Sequence, residues 1–271
     1  MLADLSTYSL QDFLLFDAAI YRDLFAQLNA RAWPVPVVGI AAALACLGLT
    51  TARHRWALPA SAALLASAFA ASAWLFFFGV YATINWAAIY PGWAFVAEAG
   101  LLLVASVVLG RSAQPRVTLS SPRLLAGTAF AFYGLFVHPL AGWLFGRAAD
   151  GLEWFALAPD PTALVAIGLL AVTVPHRRLA LPLAALPLLW LAVSAMTLWL
   201  LETPAEALLL AAATMVGLVI LLLPARHPRD NAVTDPLPAI RPAETAAVPR
   251  GLAATFLPTS PHNTGARTGR T

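Results

Sequence analysis

Two ionisable side chains lie inside otherwise apolar runs of this chain. Glu98 stands seven residues beyond Pro91, and His138 stands seven residues before Phe145. At about 1.5 Å per helical residue, each side chain lies roughly 10 Å from one end of its run. A carboxyl group at that depth in a membrane must be protonated or paired. We therefore expect Glu98 and His138 to approach each other and to form a proton or cation site.

Three further residues are predicted to lie near the same depth in the membrane as Glu98 and His138. Asp160 lies at the start of the fifth apolar run, and Asn85 and Trp86 precede the third. Together with Glu98 and His138, they are the candidates for binding a ligand or a proton in a polar cavity. The alternative is structural: the two ionisable groups hydrogen-bond neighbouring helices, and Trp86 belongs to an interfacial aromatic belt. The pattern identifies no catalytic residue.

The rest of the chain lacks the residue patterns of common metal and cofactor sites. Five histidines are scattered without metal-ligand spacing. Cys46 is the only cysteine, which excludes an intramolecular disulfide and a thiolate cluster. There is no phosphate-binding loop, dinucleotide turn or nucleophile elbow. The absence of lysine also excludes a retinal Schiff base. We therefore expect no cofactor and no metal, and a non-enzymatic protein is favoured over an enzyme.

Seven apolar runs position these residues. The 271 residues are 61% hydrophobic and 11% charged, whereas a soluble domain has roughly 25% charged residues. Runs of about 20 apolar residues match the bilayer core, where helices satisfy the backbone hydrogen bonds. The sequence predicts an all-α membrane protein with a bundle of about seven transmembrane helices. The runs are 33–51, 56–83, 91–110, 124–145, 155–174, 179–201 and 205–223.

The gaps between the runs alternate in charge. The second gap has no charge, the sixth holds Glu202 and Glu206, and the fourth sets Arg147 against Asp150 and Glu153. Because arginine-rich loops resist translocation, the N-terminus is predicted outside and the C-terminus in the cytoplasm. The net charge of +3 then reflects topology and does not indicate binding of nucleic acid. The arginines of the first, third and fifth gaps and of the early tail are Arg53, Arg55, Arg111, Arg116, Arg123, Arg177, Arg178, Arg226 and Arg229.

This topology divides the chain into three parts. Residues 1–32 form an extracytoplasmic segment, 33–224 the seven-helix bundle, and 225–271 a disordered cytoplasmic tail without apolar periodicity. In the first part, Asp17 is predicted to cap an amphipathic helix that runs to about Ala30. Its apolar face, made of Ile20, Leu24, Phe25 and Leu28, lies either on the outer leaflet or across the mouth of the bundle.

The fifth run is irregular. Only 161–174 is free of charge, and these fourteen residues cover roughly two-thirds of the bilayer core. Either the outer end is non-helical and buried in protein, or the run is a half-span that opens onto a cavity. Two prolines also fall inside spans, Pro139 and Pro187, and each is predicted to kink or locally open its helix.

Several short segments carry a family resemblance. They are Asp12–Phe16, Leu28-Asn29, Trp33-Pro34, Tyr81, Ile84–Ala88, Phe95–Glu98, His138–Leu140 and Pro159–Thr162. Together they resemble the bacterial multi-pass membrane proteins catalogued as domain of unknown function 6064, over about residues 10–224. The resemblance implies a multi-pass fold in a bacterial cytoplasmic (inner) membrane. It implies no activity, so function must be argued from the residues.

Three classes of function fit this pattern. The first is a permease-like protein that binds or moves a small solute or a proton through an outward-facing polar cavity. The others are a non-catalytic scaffold for a partner protein and an intramembrane lipid-modifying enzyme. Seven spans without an internal repeat weigh against transport. The bilayer is a predicted partner, whereas no protein partner can be named. A water-sized cavity at Glu98 would favour the first or third class, and a dry bundle the second.

Overall fold

The structure is a computed structural model that describes residues 16–111 and 122–224. All regular secondary structure in these two ranges is helical, which confirms the prediction of an all-α protein. The two described ranges contain nine α-helices: α1 (Ala18–Ala32), α2 (Val35–Thr51), α3 (Ala57–Ala71), α4 (Ile89–Gly110), α5 (Pro122–Phe132), α6 (His138–Leu144), α7 (Pro159–Thr173), α8 (Arg177–Leu200) and α9 (Pro204–Leu222). The predicted disordered tail lies outside the described residues.

Among the residues that the structure describes, five helical segments are long and apolar enough to cross a membrane, and a sixth is added if a bent helix pair is counted as one span. Some of these segments join α-helices to short π or 3-10 turns. They are Ala57–Thr83, Trp86–Gly110, Pro122–Leu144, Arg177–Leu200 and Pro204–Leu222. Each coincides with a predicted run. The first and fifth predicted runs are the two that do not form a full-length helix by themselves.

The first predicted run is half of a bent pair. Helices α1 and α2 meet at an angle of 84°. Asp17 caps α1 as predicted, since its carboxylate accepts a hydrogen bond from the Ile20 backbone N–H at 2.8 Å. Phe25 stacks on Phe76 with ring centroids 5.3 Å apart, so the apolar face of α1 packs on protein. Ile20 was predicted on that face but is 44% exposed, and Tyr21 takes its place.

The fifth run forms the centre of the fold. Every residue of α7 is buried, and α7 packs against α3, α5 and α8. The preceding residues 152–158 are non-helical and almost entirely buried. The buried, non-helical end matches the first predicted alternative. The helix that follows has only 15 residues and borders a small cavity at Asp160, which matches the second. Because neighbours cover α7 on all sides, its uniformly apolar sequence serves packing between helices.

Close approach between α5 and α7 requires glycine. A Cβ atom on Gly168 would lie 2.6 Å from the backbone nitrogen of Ala131. Gly134 lies in the turn that follows α5, and a Cβ atom on it would lie 2.8 Å from the Cβ of Leu164 in α7. Small residues at such crossings let two helix backbones approach until their main chains touch.

Pro139 opens its helix, as predicted. Proline has no N–H to donate to the carbonyl four residues earlier, here that of Leu135. The backbone responds with a π-helical turn, Tyr133–Val137, directly before α6. At Pro187 the outcome differs, because α8 remains α-helical through both of its prolines. The π turn places His138 at the first position of α6.

Arg123 departs from its predicted place in a solvated loop. It lies in the first turn of α5 and is buried, and its Nη1 donates a hydrogen bond to the Pro175 carbonyl at 3.4 Å. The other arginines assigned to these loops and described here, such as Arg53 and Arg177, are exposed.

The predicted orientation has a direct test in single cysteines placed in a Cys46→Ala background. We expect a membrane-impermeant maleimide applied to intact spheroplasts to label cysteines that replace Trp86 and Glu202. Cysteines that replace Arg111 and Arg177 should react only after the membrane is permeabilised, because arginine-rich loops stay in the cytoplasm. All four positions are exposed. Labelling of position 111 or 177 in intact spheroplasts would contradict this orientation.

Candidate functional site

A cluster of buried charged side chains lies at the end of the bundle that is predicted to face outward. It is built around Arg147 and Glu153, which belong to the connection between α6 and α7. Helix α9 adds Glu206 in its first turn, and α7 adds Asp160 in its own. All four are among the buried polar residues of the described chain. The π turn adds His138 by fixing where α6 begins.

Arg147 binds two carboxylates at once. Its Nη2 donates to Oε2 of Glu206 at 2.7 Å, and its Nε donates to the same oxygen at 3.1 Å. Its Nη1 donates to Oε1 of Glu153. The other oxygen of Glu206 accepts a hydrogen bond of 2.8 Å from Nη2 of Arg22 in α1. The guanidinium also lies over the Phe25 ring, 5.4 Å from its centroid. This network ties the α6–α7 connection to the first and last described helices.

Mutual attraction keeps these groups ionised although they are buried. Burial alone would lower the pKa of Arg147, but the carboxylates of Glu153 and Glu206 outweigh burial and raise that pKa above its ordinary value. Burial would likewise raise the pKa of Glu153, but the charge of Arg147 and the hydrogen bond to His138 outweigh it and lower that pKa to about 2. Both residues therefore carry their charge at neutral pH.

Three potential ligand groups converge beside the arginine. The Nε2 atom of His138 lies 3.4 Å from Oε2 of Glu153. One nitrogen of His138 and one carboxylate oxygen from each of Glu153 and Asp160 lie within 4.8 Å of one another. The Asp160 carboxylate is held from α8, since Oδ1 accepts from Nε1 of Trp190 and Oδ2 from Oγ of Ser194, each at 2.7 Å. Sequence spacing predicted no metal site, yet the fold brings together three side chains of the types that bind metals.

A small cavity opens beside these groups. Its volume is about 20 Å³, and His138, Arg147, Glu153, Asp160 and Glu206 contribute to its lining. A polar cavity of about 10–15 Å³ on this measure can hold one water molecule. The cavity therefore has room for a water or a small ion in contact with both the histidine and the carboxylates.

Glu98 is not part of this cluster. It is buried in α4, and its Oε1 has no hydrogen-bond partner among the described residues. Helix α4 packs against α3 and α8, whereas the segment that leads to His138 packs against α7. The expected contact between Glu98 and His138 is not formed, and Glu153 lies against the histidine ring instead. Equal depth in consecutive spans does not place the two side chains on facing surfaces.

The other two candidates, Asn85 and Trp86, also lie outside the cavity lining. Asn85 caps a short 3-10 turn, Trp86–Ala88, by accepting a hydrogen bond from the Ala87 N–H at 3.0 Å, and its amide donates to the Tyr81 hydroxyl at 3.2 Å. Trp86 is 69% exposed and lies edge-on to Tyr90, with ring centroids 6.2 Å apart. Their contacts fit the structural alternative, a turn and an interfacial aromatic side chain.

Sequence reasoning missed the arginine and the two glutamates. Arg147 was interpreted as a loop charge offset by nearby Asp150 and Glu153, but Asp150 makes a different contact: its backbone carbonyl accepts a hydrogen bond from Asn29. One signal was present, because Arg147 is an arginine on the side where the predicted topology has few. An arginine on the outer side departs from the positive-inside rule, which suggests that it pairs with a carboxylate. Glu206 in the sixth gap was a candidate for that partner.

A protein-family profile matches most of the chain. The profile of a family described as "Family of unknown function (DUF6064)" matches residues 18–232. No curated protein and no solved structure matches the chain.

Proposed function

We propose a function for this chain, which belongs to the DUF6064 family, from the geometry of its buried charged cluster. The protein binds a small cation at the outer end of a helical bundle in the cytoplasmic membrane of a bacterium. His138, Glu153 and Asp160 face the bound ion. The observation that carries the proposal is the cavity of about 20 Å³ that these three residues share with Arg147 and Glu206.

The charge balance of the cluster supports a cation. The carboxylates of Glu153 and Glu206 bind the guanidinium groups of Arg147 and Arg22, and the Asp160 carboxylate lines the same cavity as Arg147. With these five groups ionised and the imidazole of His138 neutral, as a ligand histidine must be, one negative charge is unbalanced. A buried charge without a counter-charge is costly, by several kcal/mol. A bound cation beside Asp160 would supply the missing positive charge.

A purely structural role explains less of the cluster. Arg147 with Glu153 and Glu206 would suffice to fasten the α6–α7 connection to α9. His138 and Asp160 add two polar groups that line the same cavity, although polar groups in a membrane bundle are costly and are commonly retained for function. These two additional polar groups favour a binding site over a scaffold in which the same residues only join helices.

We propose binding at the outer end of the bundle and not passage through it. A larger groove of about 470 Å³ runs along α5 between Leu124 and Val137, but it shares no lining residue with the charged cavity and is mostly apolar. Between the cavity and the predicted cytoplasmic side, the described structure places α7, whose residues are all buried. We therefore propose a site that is filled and emptied from outside.

Ligand-dependent stabilisation tests this function. We expect one of a panel of chloride salts (Na⁺, K⁺, Mg²⁺, Ca²⁺, Mn²⁺, Zn²⁺, ammonium and choline) to raise the thermal midpoint of the purified chain in detergent. A ligand that binds only the folded state stabilises it by about 2.7 kcal/mol at a hundredfold excess over Kd. The Asp160→Asn variant should lose this response because it lacks the unbalanced charge.

A matched control is Glu98→Gln. It also neutralises a buried carboxyl group, but one that lies outside the cavity lining, so its response to the same cation should equal that of the parent chain. The proposal fails if no cation in the panel stabilises the parent chain. It also fails if Asp160→Asn keeps the full response or Glu98→Gln loses it.

A further inference from the structure

We infer that the ion is a divalent transition metal of the Zn²⁺ class, held by His138, Glu153 and Asp160. This inference rests on the proposed function and specifies its ligand. The ligand atoms are Nε2 of the histidine, Oε2 of the glutamate and one carboxylate oxygen of the aspartate. They come from the start of α6, from the α6–α7 connection and from the first turn of α7, so the fold assembles the site from three separate pieces of backbone.

The distances between the ligand atoms suit an ion with tetrahedral coordination. Zn²⁺ binds nitrogen and oxygen at about 2.0–2.2 Å, which places neighbouring ligands of a tetrahedron about 3.4 Å apart. His138 Nε2 and Glu153 Oε2 are 3.4 Å apart, whereas N–H···O hydrogen bonds are most often about 2.9–3.0 Å long. The ligand atoms of all three residues lie within 4.8 Å of one another. Small rotations of the side chains would bring the more widely separated ligand atoms to the spacing of about 3.4 Å.

The ligands are oriented by other side chains, as in known metal sites. Metal-binding carboxylates are themselves usually hydrogen-bonded, and these outer contacts fix their orientation. Asp160 receives hydrogen bonds from Trp190 and Ser194, both at 2.7 Å. Oε1 of Glu153 is bound by Arg147, which leaves Oε2 directed at the histidine. Each carboxylate oxygen has a second lone pair and can bind an ion while it keeps its hydrogen bond.

The cavity provides a fourth position. Three protein ligands with one position open to water are the arrangement of catalytic and exchangeable zinc sites, whereas structural sites have four protein ligands. The cavity is lined by His138, Glu153 and Asp160, and a water on the side of the ion away from these three residues would supply the fourth ligand. An open position also lets the ion exchange with the outside, as the proposed function requires.

The ligand types select among cations. Ca²⁺ takes six to eight oxygen ligands, and Mg²⁺ favours octahedral oxygen coordination with several retained waters. Imidazole suits Zn²⁺, Cu²⁺, Fe²⁺ and Ni²⁺. One imidazole with two carboxylates in a space for one water therefore fits a transition metal better than an alkali or alkaline-earth ion. The carboxylates of Glu153, Glu206 and Asp160 offset three of the four positive charges that a divalent ion would share with Arg147 and Arg22. A hydroxide as the fourth ligand would offset the last one, because Zn²⁺ lowers the pKa of its bound water to about 7.

The test uses the full-length chain purified without a polyhistidine tag and stripped with a chelator. Titration of Zn²⁺ against a chromophoric chelator should give one bound ion per chain. We expect His138→Ala and Asp160→Asn each to weaken binding by more than about a hundredfold, because the first removes a ligand and the second replaces a charged carboxylate with a neutral amide. Trp190→Phe leaves the ligands in place but removes a hydrogen bond to one, so it should weaken binding by about 10–100-fold. Co²⁺ in place of Zn²⁺ should give the strong visible absorption of four- or five-fold coordination.

Two controls keep the result interpretable. His54→Ala removes an exposed histidine outside the cavity lining, and Glu98→Gln removes a buried carboxyl group in another helix pair; neither should change Zn²⁺ affinity. Circular dichroism and size-exclusion profiles like those of the parent chain would show that the ligand variants remain folded. If His138→Ala misfolds, the Zn²⁺ affinities of His138→Gln and Trp190→Phe are compared with that of the parent chain instead.

The outcomes separate this inference from the proposed function. One Zn²⁺ per chain with an affinity unaffected at His138, Asp160 and Trp190 overturns the assigned site. Failure of Zn²⁺ to bind, while another cation stabilises the parent chain and not Asp160→Asn, rejects the transition metal and leaves the cation site standing. If neither Zn²⁺ nor any other cation binds, both are wrong.

Discussion

Replacing Arg147 with methionine should destabilise the folded chain by about 3–5 kcal/mol, the cost of leaving buried carboxylates without their partner. Methionine keeps much of the side-chain length but removes three donated hydrogen bonds, two to Glu206 and one to Glu153. The two carboxylates would then face each other across the cavity. Unfolding can be followed on heating in detergent with a thiol-reactive dye, because Cys46 is buried in the folded chain.

The control is Arg22→Met. It makes the same chemical change at an arginine that binds the same glutamate, but the Arg22 side chain is 34% exposed and binds through one nitrogen. Exposed ion pairs contribute about 0–1 kcal/mol, so this variant should unfold close to the parent midpoint. Equal losses from Arg147→Met and Arg22→Met would show that burial of Arg147 is not what makes its ion pairs important.

Gly168→Ala should lower stability by about 3 kcal/mol, at the upper end of the usual cost of overpacking. The added Cβ would meet the nitrogen of Ala131 at 2.6 Å and its Cα at 2.8 Å. These are backbone atoms, so no side-chain rotation can relieve the clash, and α5 must move away from α7. The same thiol-reactivity assay gives the midpoint, and circular dichroism reports helix content before heating.

Gly100→Ala serves as the matched control. A Cβ atom there would meet no atom within 4 Å, and Gly100 also lies in the interior of a helix. Since glycine is less favourable than alanine in a helix by roughly 0.5–1 kcal/mol, this variant should be as stable as the parent or slightly more stable. A Gly168→Ala chain that melts like Gly100→Ala would mean that the α5–α7 contact tolerates separation.

Sequence predicted the helices well because hydropathy is a local property. The run 179–201 became α8, Arg177–Leu200, and the run 205–223 became α9, Pro204–Leu222. The turn at Pro139 was also predictable, since a proline disturbs the backbone within one turn of itself. Asp160 was identified for a similar reason: an acid between two prolines at the start of an apolar run is conspicuous from its immediate neighbours.

The composition of the site was not predictable in the same way. Arg147 and Glu206 are 59 residues apart in sequence, and no local pattern pairs them. Depth in the membrane can be counted along a helix, but the direction of a side chain depends on which helices are neighbours. Helices that are apolar on every face, such as α7, give no periodicity from which to infer those neighbours. The pairing of Glu98 with His138 was inferred from depth alone, and the structure forms no contact between the two side chains.

The contacts of Glu206 have a consequence for biosynthesis. This glutamate lies at the start of α9, the last described helix, yet its two oxygens bind Arg22 in α1 and Arg147 between α6 and α7. A ribosome delivers those arginines long before it delivers the glutamate. Until α9 enters the membrane, Arg22 lacks this carboxylate and Arg147 has only Glu153. The cluster thus acquires its full set of charges only when α9 is inserted, and a nascent chain that stops short of α9 lacks the carboxylate that gives the cluster its unbalanced negative charge.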